Sequence, residues 1–183
     1  WLASITKDMR EDIQLAVVGA GPAGSTAALV AARELDVVLI DRKSEIGSPV
    51  QCGGFLPEAW ELEALLPRAG LPDTLKEIPE HCILHRTRLQ RIYSPSGKSK
   101  EFAVAGRVLD RRAFDRYLAS QAARAGARIL PATRATLVEG GLELSGHYAG
   151  RLRPQMIIGA DGPSSAVSRY MGNPAQEVGI CQE

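Results

Sequence analysis

Short apolar runs separated by a glycine-rich turn dominate the N-terminal part of the chain. Residues 15–18 (LAVV) and 37–40 (VVLI) are uninterrupted apolar runs, which is typical of strands that are buried on both faces of a parallel sheet. Between them, an Ala- and Leu-rich segment from Pro22 to Arg33 predicts a helix packed against that sheet. We therefore expect a βαβ unit over about residues 13–42.

The middle of the chain has a different pattern. A Gly- and Pro-rich stretch after residue 41 leads into a short amphipathic helix at residues 58–66, which Pro67 would stop. From Cys82 to Val104 the pattern favours strands, with Ser94-Pro95-Ser96-Gly97 as a hairpin turn. We interpret about residues 78–106 as a β-rich insertion.

Helical spacing returns in the last third. Phe114, Leu118 and Ala122 repeat on one face of a segment from Asp110 to Ala125, and Gly126 is placed to end that helix. Shorter elements follow: strands at 128–130, 133–138, 142–145 and 156–158, and a helix at 164–171. We expect the strand Met156-Ile157-Ile158 to be buried, because it is continuously apolar. The predicted fold class is α/β.

Composition and charge argue against several classes of protein. Lys and Arg number 22 against 21 Asp and Glu, and aromatic residues are only 5%, so we predict no nucleic-acid partner. No apolar run is long enough to span a bilayer, and the first residues lack the apolar stretch of a signal peptide. Three separated cysteines, Cys52, Cys82 and Cys181, favour a reducing setting. We expect a cytoplasmic protein, with peripheral membrane contact left open.

Metal binding is not predicted. His81 and His85 are spaced i and i+4, but their segment resembles a strand rather than a helix, so the spacing does not bring them to one helix face. No HExxH pattern occurs.

The loop Gly19-Ala20-Gly21-Pro22-Ala23-Gly24 joins the first predicted strand to the first helix. Gly19 can turn out of the strand, Gly21 leaves no side chain between backbone and phosphate, and Gly24 lets the helix lie close to the strand. The helix N-terminus adds N–H groups and a positive dipole end. These features predict a dinucleotide site, the alternative being a tight turn in a ligand-free sheet.

The acid that such a site needs is also present. Asp41 follows the second strand, where a carboxylate accepts bonds from a ribose hydroxyl pair. It would repel the extra phosphate of NADP, whereas Arg42 and Lys43 would attract it. Local sequence alone fits NAD and FAD equally well.

Four segments resemble the geranylgeranyl reductase family, within the larger group of flavoproteins that includes p-hydroxybenzoate hydroxylase. They are the glycine loop with Ser25, residues 41–54 (DRKSEIGSPVQCGG), residues 108–115 (VLDRRAFD) and residues 159–167 (GADGPSSAV). The last is the DG motif of the broad group, and the second points to the reductases. The resemblance implies a Rossmann-like FAD-binding domain with an insertion from a substrate domain, truncated at its C-terminus. Its Arg helix and DG motif span about residues 108–172.

The resemblance also implies which residues contact FAD. The expected cofactor-binding residues are Gly19, Gly21, Pro22, Ala23, Gly24, Asp41, Arg42, Cys52, Gly53, Arg111, Ala135, Asp161 and Gly162.

Several of these residues have alternative roles. Arg111 would pair with cofactor oxygens or lie on a solvated helix face. Asp161 would serve the flavin side or cap a helix, and the two roles are compatible. Cys52 would lie near the flavin, where it could tune the flavin, contact the substrate or act as a catalytic proton donor, or it would be a small packing residue of the loop. Ala135 would pack beside the adenine through its backbone.

The activity implied is an FAD-dependent reductase that saturates C=C bonds of geranylgeranyl chains in archaeal-type ether lipids or related isoprenoids. NAD(P)H or ferredoxin would be the electron donor, so an isoprenoid lipid and an electron-donor protein are the expected partners. Two alternatives stay open: an FAD-dependent monooxygenase of the hydroxylase type and a non-catalytic flavin-binding fragment. The second is favoured because the chain is shorter than the reductases of the family. A sheet edge left exposed by truncation would favour association.

Overall fold

The computed structural model describes residues 12–68 and 70–174. The elements are β1 (Asp12–Val18), α1 (Pro22–Ala31), β2 (Val37–Ile40), β3 (Phe55–Pro57), α2 (Ala59–Leu65), α3 (Asp73–Lys76), β4 (Ile83–Tyr93), β5 (Ser99–Leu109), α4 (Arg111–Arg124), β6 (Arg128–Leu130), β7 (Thr133–Val138), β8 (Gly141–Gly146), β9 (Gly150–Gly159) and α5 (Ala166–Tyr170). They form two compact units. Of the described residues, one unit comprises 12–48 and 115–174, and the other lies between Pro49 and Phe114.

The first unit is built on a sheet of strand order β6-β2-β1-β9-β8-β7. The four strands β6, β2, β1 and β9 are parallel, and β7, β8 and the start of β9 form an antiparallel ribbon. β1 lies in the middle, with Leu15 opposite Val37 on one side and opposite Met156 on the other. The predicted βαβ unit is therefore present.

Both faces of β1 and β2 are covered, which explains their continuous apolar runs. On one face, Val17 and Leu39 pack with Ala28 of α1 and Ala122 of α4. On the other face, the alternate residues of β1 and β2 pack with Leu142, Leu144 and Leu152 of the ribbon. Each fully buried leucine contributes about 1.5–3 kcal/mol through removal of apolar surface from water.

β9 forms as a strand, but the prediction that it is buried at Met156 and Ile158 is wrong. These side chains are 50% and 39% exposed. By register they share a face with Leu15 and Val17. The hydrophobic cluster on that face draws on β1, β2, α1 and α4 and includes no described residue of β9. An apolar sequence favours a strand here, but the side chains on this face are buried only where another element packs over them.

The second unit contains an antiparallel sheet of order β3-β5-β4. β4 and β5 form the predicted hairpin, and Gly97 in its turn has φ +80°. β3 was not predicted. β3 pairs with β5, and the Phe55 ring packs closely against Gly106 of β5. A Cβ added at Gly106 would lie only 2.4 Å from that ring, so a side chain there would require the ring to move. None of the described helices is both long and apolar enough to cross a membrane.

Candidate functional site

Two glycines of the N-terminal loop are required by packing inside the protein. Gly19 has φ +104°, and a Cβ there would lie 2.2 Å from the carbonyl oxygen of Ala160. A Cβ at Gly24 would lie 1.8 Å from the carbonyl oxygen of Gly19. Both contacts are far shorter than atoms allow, so any side chain would push α1 or the end of β9 away from the loop.

Gly21 is different. Its φ is −71°, which any residue adopts, and a Cβ there would meet no protein atom within 4 Å. Neither backbone conformation nor packing within the protein therefore requires a glycine. A ligand that approaches the backbone closely would require one, and a phosphate does so in sites of this type.

The N-terminus of α1 opens beside this space. Gly21 is its N-cap residue, Pro22 stands in the first turn, no side chain caps the helix, and its first turn carries no acidic residue. The first N–H groups of a helix lack intrahelical acceptors and carry partial positive charge. The loop and helix end thus fit an anionic group such as a pyrophosphate.

Asp41 lies beside the loop, as predicted, and already accepts two hydrogen bonds. Its Oδ2 atom accepts from the N–H of Ala20 at 2.7 Å, and its Oδ1 atom accepts from the N–H of Lys43 at 2.8 Å. A carboxylate offers about four acceptor positions, so the two bonds leave capacity for the hydroxyls of a ribose.

The DG motif lies next to the loop as well. The N–H of Ala160 donates to the carbonyl oxygen of Val18 at 2.7 Å, which joins the ends of β9 and β1. Gly162 has φ +86°, and no atom lies within 4 Å of its would-be Cβ. The parallel register therefore brings together the glycine loop, Asp41 and the DG motif, three features far apart in sequence.

The Asp161 carboxylate caps the N-terminus of α5 together with Ser165, the N-cap residue, whose hydroxyl accepts the Ser168 N–H at 2.9 Å. The carboxylate accepts bonds from the Ser165 hydroxyl at 2.5 Å and the Ala166 N–H at 2.6 Å, with the Val167 N–H at 3.4 Å. Burial alone would raise the pKa of Asp161, but these hydrogen bonds outweigh it and hold the pKa below its ordinary value. The capping alternative is thus observed, and contact with a cofactor stays a prediction.

The remaining predicted residues lie elsewhere. Ala135 is half-buried in β7 and packs against the ribbon side of the core. Cys52 and Gly53 belong to the second unit and are exposed there. Arg111 is the first residue of α4. Their roles stay predictions. Among residues 12–68 and 70–174, no group of three or more His, Cys, Asp or Glu side chains could hold a metal ion.

Sequence reasoning missed two residues whose side chains hold local backbone in place, one in the glycine loop and one at the start of α4. Ser25 is fully buried, and its hydroxyl donates to the carbonyl oxygen of Ala20 at 3.1 Å. Asp110 accepts the Ala113 N–H at 3.0 Å and so caps α4. A hydroxyl directly after the last loop glycine and an acid just before a helix were the available signals.

Comparison with known proteins gives a consistent family. The FAD binding domain model matches residues 12–180. The chain is 55% identical over 159 residues to an uncharacterized protein of the nifH2 5′ region of Methanosarcina barkeri, covering 85% of this chain and 86% of that one. It is 39% identical over 180 residues to the digeranylgeranylglycerophospholipid reductase of Methanosarcina acetivorans, covering 90% of this chain and 41% of the reductase.

A solved structure agrees with the fold. The geranylgeranyl bacteriochlorophyll reductase-like protein of Thermoplasma acidophilum superposes with a TM-score of 0.71 at 32% identity, over 88% of this chain and 42% of that protein. The chain therefore spans about two fifths of the length of these reductase relatives.

Proposed function

This chain belongs to the FAD binding domain family, and from that premise we propose that it is the FAD-binding part of a reductase that saturates C=C bonds of geranylgeranyl chains. The observation that carries the proposal is the space beside Gly21, where the protein itself gives no reason for a glycine. The glycine loop and the N-terminus of α1 would take the pyrophosphate, with Pro22 and Ala23 in its first turn. Asp41 and Arg42 would take the adenosine ribose side.

The other proposed contacts follow the motifs. Ala135 would lie beside the adenine, the backbone of Asp161 and Gly162 would serve the flavin side, and Arg111 would pair with cofactor oxygens. FAD supplies the hydride chemistry that no side chain can supply. Cys52, whose thiol is exposed between polar and glycine neighbours, would be the proton donor near the flavin.

The proposed substrate is the geranylgeranyl chain of an ether lipid or related isoprenoid. Support comes from the relative of Methanosarcina acetivorans, which is named for the reduction of such a phospholipid. Because the chain spans 41% of that reductase, the lipid tunnel would come from residues outside the aligned part. The proposed electron donor is NAD(P)H or a ferredoxin, and the proposed location is the cytoplasm.

We also propose peripheral contact with a membrane, through the β4–β5 hairpin. Leu89, Ile92 and Tyr93 are 52%, 54% and 63% exposed there, and the hairpin also carries Arg88, Arg91, Lys98 and Lys100. Exposed apolar side chains among cations favour the interface of an anionic bilayer.

Vesicle co-sedimentation tests this contact. The chain should pellet with phosphatidylglycerol vesicles and much less with phosphatidylcholine, and Leu89→Ser/Ile92→Ser should reduce pelleting several-fold. Val30→Ser, at an exposed apolar position of α1, is the control. Equal pelleting of all three proteins would refute the hairpin as the contact.

The cofactor proposal is tested by adding FAD to the purified chain and following flavin fluorescence and absorbance. We expect saturable binding with one FAD per chain. A chain that binds ADP and FAD no better than an unrelated protein would refute it.

Turnover separates the reductase from the two alternatives. The FAD-loaded full-length protein, including the residues proposed to form the lipid tunnel, is reduced anaerobically with dithionite and mixed with a geranylgeranyl ether lipid, and the product mass is measured. Reoxidation of the flavin with mass gains in pairs of hydrogens supports the reductase. Substrate-dependent oxygen uptake would instead indicate a monooxygenase. Bound flavin without turnover in either assay would indicate a non-catalytic flavin-binding protein.

A further inference from the structure

Ala20, in the centre of the glycine loop, is held through both of the peptide groups that flank it. Its N–H donates to Oδ2 of Asp41 at 2.7 Å, and its carbonyl oxygen accepts the hydroxyl of Ser25 at 3.1 Å. Ala20 and Ser25 are 1% and 0% exposed. The Ser25 bond is therefore shielded from water and the Asp41 bond is partly shielded, which makes a missing partner for either Ala20 group costly.

The two bonds tie the loop to different elements. Asp41 lies 21 residues from Ala20 in sequence and is itself fixed, because its N–H donates to the carbonyl oxygen of Leu130 at 3.0 Å. Ser25 belongs to the first turns of α1. The loop is thus anchored both to the end of β2 and to the helix that follows it.

The bond to Ser25 also sets the direction of the next N–H group. The Ala20 carbonyl and the Gly21 N–H belong to one planar peptide and point in opposite directions when the peptide is trans. Once the carbonyl is directed at Ser25, the Gly21 N–H is directed the other way. No protein atom lies near the position of a Cβ on Gly21, so that residue keeps an open approach.

We propose that Asp41 and Ser25 are positioning residues that fix the two peptides on either side of Ala20, Asp41 the Gly19–Ala20 peptide and Ser25 the Ala20–Gly21 peptide, and so preset the loop for a pyrophosphate. Asp41 then contributes to nucleotide binding chiefly through the Ala20 N–H, and only secondarily through the ribose hydroxyls expected from its motif. The identity of the ligand rests on the proposed function. The two hydrogen bonds that hold Ala20, which we call the clamp, do not depend on it.

A comparison of two nucleotides separates the two roles of Asp41. ADP carries both ribose hydroxyls, and 2′,3′-dideoxy-ADP carries neither. Asp41→Asn should weaken the binding of both roughly tenfold, as expected for one hydrogen bond to a charged acceptor, with at most about a twofold larger loss for ADP from the secondary contact with its ribose. Asp36→Asn, in the same unit and paired with Arg128, is the control and should leave both affinities unchanged. If Asp41→Asn weakens ADP but not the dideoxy nucleotide, the ribose is the only contact and the proposal is wrong.

A second readout needs no nucleotide. In the ligand-free chain, hydrogen exchange of the Ala20 amide, followed by NMR, should accelerate at least tenfold in Asp41→Asn and stay unchanged in Asp36→Asn. Unchanged exchange in Asp41→Asn would overturn the proposal. If the wild-type chain binds neither nucleotide, the proposed function fails while this readout still decides on the clamp.

Ser25→Ala tests the other half of the clamp and serves if Asp41→Asn does not fold. It removes one hydroxyl and leaves the Ala20 carbonyl without its donor. It should weaken both nucleotides equally and shift the Gly21 amide resonance. Ser168→Ala, in α5, is the matched control. A Gly21 resonance and nucleotide affinities identical to those of the wild type would contradict the role of Ser25.

Discussion

At the scale of single residues, the glycine motif combines two kinds of constraint. Gly19 and Gly24 are required by protein atoms, since an added Cβ would lie 2.2 Å and 1.8 Å from carbonyl oxygens. Gly21 meets no protein atom within 4 Å. A substitution at Gly21 should therefore separate ligand binding from folding.

We predict that Gly21→Val abolishes FAD binding without lowering the free energy of unfolding by more than about 0.5–1 kcal/mol. The branched side chain would fill the space that a phosphate needs. Urea denaturation and FAD titration measure the two quantities. Gly70→Val is the control, because a Cβ there also meets no atom within 4 Å. Full retention of FAD binding by Gly21→Val would place the pyrophosphate elsewhere.

The Asp161 cap predicts a pH dependence. Its pKa is lower in the folded protein, so its stabilisation is complete above the unfolded pKa of about 3.9 and is lost as pH falls through the folded pKa. Asp161→Asn keeps an acceptor oxygen but removes the charge, so it should be less stable than wild type by about 0.3–1 kcal/mol at neutral pH, with the gap closing in acid. Urea denaturation from about pH 6 to pH 3 measures this. A gap that does not depend on pH would show that the charge on the cap is unimportant.

At the scale of elements, the hydrophobic pattern predicted the elements that are long enough to show a period of their own. The strands β1 and β2, the helices α1 and α4 and the β4–β5 hairpin lie where the pattern placed them. β3 and α3 have three and four residues, too few for a period, and β3 exists through its pairing with β5.

In the site, too, the features set by local sequence were predicted and those set by tertiary contacts were not. The α/β fold and the resemblance to the geranylgeranyl reductases are confirmed by the comparisons, and the glycine loop and Asp41 lie where the motif places them. The hydrogen bonds of Asp41 and Ser25 to Ala20 could not be predicted, because they depend on orientations that spacing does not encode. The burial of Met156 was predicted wrongly because it depends on which element covers β9.

The packing of α1 on the strand end predicts the effect of Gly24→Ala. In an unobstructed helix, replacing Gly by Ala stabilises by about 0.5–1 kcal/mol. Here the new methyl group would collide with the Gly19 carbonyl oxygen, so we expect a loss of about 1–3 kcal/mol. Chemical denaturation measures the change, with Ala23→Gly as a control at an exposed position of the same turn. Stabilisation by Gly24→Ala would contradict the observed closeness of α1.

At the scale of the whole molecule, the chain has one continuous and one discontinuous unit. The unit from Pro49 to Phe114 is uninterrupted, whereas the other uses residues from both sides of it. The discontinuous unit contains the glycine loop, Asp41 and the DG motif, while Cys52 and Gly53 lie in the continuous one.

The central position of β1 has a consequence for the order of events during synthesis. β1 is made early, but its neighbour β9 emerges about 140 residues later, which at ordinary rates of translation takes about 7–30 s. Until then the glycine loop lacks the Ala160 contact that joins β1 to β9. A nascent chain released before β9 would carry every residue of the loop and still lack its finished form. We therefore expect cofactor loading to follow the emergence of β9 rather than that of the glycine loop.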